Sequence, residues 1–79
     1  MQNRIREIAA DVFGVPAAEL PEDASNGNVP GWDSLHHLEL MLALEMEFNV
    51  QISSEAMPAL LSIDAIEEYL REQGVPASA

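Results

Sequence analysis

Apolar residues recur at helical spacing in several stretches of this chain, separated by segments rich in proline, glycine and serine. Ile5, Ile8, Ala9 and Val12 share one face of a helix over about residues 3–13, and Gly14 supplies its stop. Residues Gly14 to Trp32 hold three of the five prolines and three of the four glycines, so no long helix or paired strand runs through this segment. A loop of that length in a small domain needs anchors, and Val15, Leu20, Val29 and Trp32 are the candidates. A second helix is predicted from Ser34 to about Phe48. Ser53 or Ser54 can cap a short third helix, which Pro58 restricts to a single turn starting near it or to a distorted one. Ser62 caps a fourth, with Ile63, Ile66, Tyr69 and Leu70 inward, Glu67 placed to pair with Arg71, and Gly74 with Pro76 ending it. The expected fold is all-α: a small four-helix bundle, three longer helices and one short, with a long loop between the first two. One domain over residues 1–79 is expected, ordered over about 3–73, with the last few residues disordered.

The second helix is apolar almost all round. Leu40, Leu44 and Phe48 form one stripe with Met41 beside it, while Leu35, Leu42 and Met46 cluster on roughly the opposite side next to Glu39. Both faces are core only if this helix is central; otherwise one of them is a docking face. Its start is equally informative. Asp33 is a good N-cap, since a carboxylate accepts the orphan N–H groups of the first turn and suits the positive end of the helix dipole. Ser34 then sits at the first helical position, partly exposed, where a phosphate esterified to its hydroxyl would meet free N–H groups.

Gly31-Trp32-Asp33-Ser34-Leu35, with the run from Leu38 to Phe48 behind it, resembles the second helix of an acyl carrier protein. The resemblance extends upstream through Phe13-Gly14-Val15 and Asp23-Ala24-Ser25, and downstream through Val50-Gln51-Ile52 and Ser62-Ile63. It implies that Ser34, the serine of an Asp-Ser-Leu motif, is the attachment point of 4'-phosphopantetheine taken from coenzyme A. It implies a carrier that is not itself an enzyme, a substrate of a phosphopantetheinyl transferase, serving lipid or polyketide biosynthesis. Partner enzymes that load and transfer its cargo would read the second helix through Leu35, Glu39, Leu42, Glu45, Met46 and Glu47. The region between the second and third helices would be able to enclose an acyl chain.

The chain has 79 residues and no cysteine, so neither a disulfide nor a cysteine-based metal site stabilises it. A thioester carrier of this composition must obtain its thiol from a prosthetic group. Fourteen acidic residues against three arginines and no lysine give a net charge of −11. Such a surface repels nucleic acid and anionic lipid and steers toward basic patches on proteins, or serves simply as a solvated, solubilising face. The start Met1-Gln2-Asn3-Arg4 has no signal-peptide apolar run and no stretch approaches a membrane span, so a cytoplasmic monomer without stable membrane insertion is expected. The initial Met1 and the lack of flanking linkers favour a freestanding protein.

Ser34, His37 and Asp33 sketch a hydrolytic triad, but Asp33 is suited to capping and no nucleophile elbow or oxyanion donor pair accompanies the serine. Adjacent histidines diverge by about 100° on a helix, so His36 and His37 cannot both chelate one metal there. His37 projects toward Leu40 and Leu44, either half-exposed and bonded to backbone or water, or lining the interior next to the third helix. Departures from the carriers of housekeeping fatty acid synthesis are His36 and Met46 where acidic residues are usual. Others are Asn26-Gly27 where apolar ones are usual, Trp32 where a small one is common, and a third-helix segment of Ser54, Glu55, Met57 and Pro58 that is less acidic than usual. They fit a specialised pathway with an unusual acyl, hydroxyacyl or aminoacyl cargo. The alternative from another class is a non-covalent acidic interaction module, a decoy or adaptor, in which Ser34 carries no group.

Overall fold

The computed structural model describes residues 1–76. In α1 (Gln2–Phe13), Ile5, Ile8, Ala9, Ala10 and Phe13 are buried, and the helix packs against both α2 (Ser34–Phe48) and α3 (Ile63–Glu72). Gly14 ends α1 in the left-handed region at φ 71°, a conformation that costs a residue with a Cβ but not glycine.

The long loop is pinned at several points. A single 3₁₀ turn, Ala17–Glu19, which the sequence pattern did not signal, leads to Leu20. Arg6 of α1 then donates to the carbonyls of Leu20 (2.6 Å) and Pro21 (2.9 Å), so one guanidinium fastens the loop to the first helix. Further on, the Ile63 N–H donates to the Ala24 carbonyl and the Asn26 N–H to the Leu61 carbonyl, each at 3.0 Å, around an isolated antiparallel bridge between Ser25 and Ser62. Leu20, Ala24, Val29 and Trp32 are buried, and Val15 packs half-buried against them. Three of the four expected anchors thus enter the core, Ala24 joins them, and Trp32 packs at a tilt against Phe13 with ring centroids 5.0 Å apart.

The count of four helices needs correction. Among the described residues there are three α-helices, and the expected short third helix is only the 3₁₀ turn Met57–Ala59. Pro58 lies in its first positions, has no N–H to give, and its ring would clash with a carbonyl four residues back in an α-helix. The preceding turn is held by Ser53, whose Oγ accepts from the Ala56 N–H at 3.1 Å. The expected fourth helix is α3, capped by Ser62 Oγ accepting from the Ala65 N–H at 3.1 Å. Ile63, Ile66 and Leu70 are buried, and Tyr69 is half-buried with its hydroxyl accepting from the Ser53 N–H. The disorder expected of the last few residues lies outside the described residues.

Candidate functional site

The start of α2 is built by Asp33. Its backbone is extended, its Oδ1 accepts the His36 N–H at 2.9 Å, and its carbonyl accepts the His37 N–H at 2.8 Å. The same Oδ1 accepts from His36 Nδ1 at 2.8 Å; a carboxylate only accepts, so that ring nitrogen carries the proton. The His36 backbone N–H, and after it the imidazole bond, holds the Asp33 carboxyl below its ordinary pKa. Ser34 follows, exposed, at the first helical position. Among the described residues the N–H groups of Ser34 and Leu35 have no protein acceptor. The serine hydroxyl therefore stands in solvent beside two unspent donors at the positive end of a helix of fifteen residues. A phosphodiester fits this setting, because its anionic oxygens supply the acceptors those donors lack.

Neither ring nitrogen of His37 bonds to the serine. Trp32 Nε1–H donates to His37 Nδ1 at 3.0 Å, and His37 Nε2 lies 2.8 Å from the Met57 carbonyl. An indole nitrogen only donates, so Nδ1 is the acceptor and Nε2–H donates to Met57. The ring is half-buried, and with Trp32 it bridges the start of α2 to the 3₁₀ turn Met57–Ala59. The reading of His37 as half-exposed and bonded to backbone holds, and the backbone it meets is that of the third-helix segment. The sketched triad is not assembled, since each histidine is engaged elsewhere, His36 with Asp33 and His37 with Trp32 and Met57. Beside Ser34 opens a groove of about 400 Å³ lined by Asn26, Trp32, Asp33, Ser34, His37, Pro58 and Leu61.

α2 has two unlike faces. Leu40, Met41 and Leu44 are 0% exposed, whereas Leu35 is 63%, Leu38 49%, Leu42 51% and Met46 85% exposed. Glu39 is exposed among these leucines. Leu38 belongs to this face and was missed, although its position three after Leu35 and four before Leu42 is the spacing that would have found it. Two carboxylates on the same helix serve the fold. Glu45 accepts the Ile52 N–H at 2.7 Å, and Glu47 pairs with Arg4 of α1 at 2.7 Å, which holds the Glu47 carboxyl below its ordinary pKa.

Residues 3–70 match the model of the phosphopantetheine attachment site family. The chain belongs to that family, whose members carry 4'-phosphopantetheine covalently, and it is a carrier domain. No helix among the described residues is long and apolar enough to cross a membrane.

Proposed function

We propose that this protein is an acyl carrier whose 4'-phosphopantetheine is attached to Ser34, and that it presents a thioester-bound acyl, hydroxyacyl or aminoacyl group to the enzymes of a specialised biosynthetic pathway. The observation that carries the reading is Ser34 itself: exposed, at the first position of α2, beside two N–H groups without acceptors, within the family match. In the modification, Ser34 Oγ bonds to the phosphorus bearing the pantetheine of coenzyme A. The pyrophosphate bond breaks, the serine proton passes to the transferase, and adenosine 3',5'-bisphosphate leaves. When bound, the group supplies the thiol that a chain without cysteine lacks. Asp33 fixes the helix start, and the N–H groups of Ser34 and Leu35 would hold the phosphate.

The surface that partner enzymes read is, in this proposal, the exposed face of α2: Leu35, Leu38, Leu42 and Met46 around Glu39, with Glu45 and Glu47 at its borders. An apolar centre with an acidic rim suits transient docking, since charge speeds encounter and orients it while apolar contact holds it briefly. A monomer working in the cytoplasm fits such a carrier. The test is incubation with a fluorescent coenzyme A analogue, magnesium and a phosphopantetheinyl transferase. The wild-type chain takes up one label and Ser34→Ala takes up none; an unlabelled wild type would favour the adaptor reading.

A further inference from the structure

Both histidines of the chain stand at the start of α2 against the Phe13 and Trp32 rings, yet their hydrogen bonds leave them unequal room for a second proton. His36 meets the edge of Phe13 with ring centroids 6.5 Å apart, and His37 stacks on Trp32 at 6.2 Å. His36 gives Nδ1–H to Asp33, and among the described residues nothing bonds its Nε2. A proton added at Nε2 therefore breaks no bond and turns the existing one into an ion pair. His37 offers no such place. Its Nε2–H already donates to the Met57 carbonyl, and the remaining nitrogen, Nδ1, accepts from the Trp32 indole at 3.0 Å. A proton added there faces an indole N–H, donor against donor, so the imidazolium keeps Met57 and loses Trp32. Trp32 is only 6% exposed, and its stranded N–H reaches water only if the indole moves.

Few ionisable groups surround His37. On α2 they are His36 and the cap residue Asp33, whose carboxylate is bonded to His36. The turn Met57–Ala59 carries none, Glu55 ahead of it is exposed, and Asp23 in the loop is bonded to Asn28, while α1 meets Trp32 through Phe13, which does not titrate. Among the described residues no carboxylate bonds either ring nitrogen of His37, so nothing replaces the indole bond when a proton arrives. We infer that His37 is a proton-operated latch on the loop corner Val29–Trp32: neutral, it ties the corner to α2 and to the turn Met57–Ala59; protonated, it keeps the turn and lets the corner go. Within that corner the Val29 N–H donates to the Ser25 carbonyl and the Trp32 N–H to the Val29 carbonyl, both at 3.1 Å, and Gly31 turns the backbone at φ 97°. The corner leads directly into Asp33 and Ser34. Mild acid thus loosens the approach to the serine while the helix start behind it, capped by Asp33, stays formed, whatever Ser34 carries.

The experiment is an NMR titration of the unmodified chain from about pH 7.5 to about pH 5.5, within the interval where histidines ordinarily change charge. It follows the ¹⁵N signals of the His37 ring, the Trp32 indole N–H, and the hydrogen-exchange protection of backbone amides relative to an unstructured peptide at the same pH. The indole signal should move with the His37 ring at one midpoint. Protection of the Val29 and Trp32 amides should fall about fivefold, the factor that one lost net hydrogen bond brings, while Ala59 and Leu60 in the turn keep theirs. In His37→Gln the side-chain carbonyl accepts from the indole and the amide N–H donates to Met57 without titrating, so this variant should keep its protection across the range, and His36→Gln should leave the response intact. Protection of Val29 and Trp32 unchanged by pH in the wild type overturns the latch, as does a response that survives in His37→Gln or vanishes in His36→Gln. Should His37→Gln not fold, the wild type decides: separate midpoints for the ring and the indole overturn the latch, and a shared one upholds it.

Discussion

Asp33 Oδ1 accepts both the backbone N–H and the imidazole Nδ1–H of His36, so the cap of α2 and the side-chain bond to His36 depend on one oxygen. Because these bonds lower the folded pKa of Asp33, the stability they contribute is present above the unfolded aspartate value and is lost as pH falls through the folded one. Asp33→Asn keeps a capping side chain but no charge. Urea melts over a pH series should find it less stable than wild type at neutral pH, with the gap closing as acid titrates Asp33; a gap unchanged by pH would contradict this. The His37 arrangement also makes a spectroscopic prediction. Its ¹⁵N signals at neutral pH should be those of the Nε2–H tautomer, since Trp32 occupies Nδ1 as a donor; an Nδ1–H tautomer would refute the bridge. The Asp33 cap and the exposed Ser34 were legible in the sequence, because capping is a local rule and both residues lie within one turn. The Trp32–His37–Met57 bridge was not, since Met57 is twenty residues from His37 and only the fold brings its carbonyl to the ring.

The two faces of α2 separate stability from recognition. Leu44→Ala removes a fully buried side chain and should cost about 2–5 kcal/mol, whereas Leu42→Ala, on the exposed face, should stay within about 0.5 kcal/mol of wild type in the same denaturant titration. Equal losses would mean that both faces are core. At the start of α3, Ser62→Ala should cost about 1 kcal/mol, which for a domain this size lowers Tm by about 4–8 °C in calorimetry. The helices were readable because periodicity and punctuation agreed: Gly14 stops α1, Asp33 starts α2, and Ser62 starts α3. The segment around Pro58 was readable as irregular but not as a 3₁₀ turn. A proline near a serine cap permits either outcome, and packing against its neighbours selects between them. Glu45 and Glu47 looked like surface charge for a related reason, because their partners Ile52 and Arg4 lie off the helix.

At the scale of the whole molecule, all three arginines are spent on internal contacts: Arg4 on Glu47, Arg6 on the loop carbonyls, Arg71 on Glu67. The remaining carboxylates repel one another across a small surface, so moderate salt or a divalent cation should raise Tm, by screening the charges or by diffuse binding. A Tm unchanged by salt would mean the charges are dispersed enough not to matter. The same field should steer partners, and position should matter beyond net charge. Glu39→Lys, in the exposed face of α2, should slow association with a basic transferase more than Glu72→Lys at the end of α3; equal effects on transfer rate would refute the docking face. The fold class and the acidity were open to inspection in the sequence, but how the arginines are spent was not, since each reaches a partner that only folding places. The account as a whole turns on Ser34, and its most direct measurement is the intact mass of the protein after treatment with coenzyme A, magnesium and a phosphopantetheinyl transferase, followed by peptide mapping of the adduct. A single phosphopantetheine on Ser34, absent from a folded Ser34→Ala variant, is the predicted result. No adduct, or an adduct on Ser25 or Ser62, would contradict it.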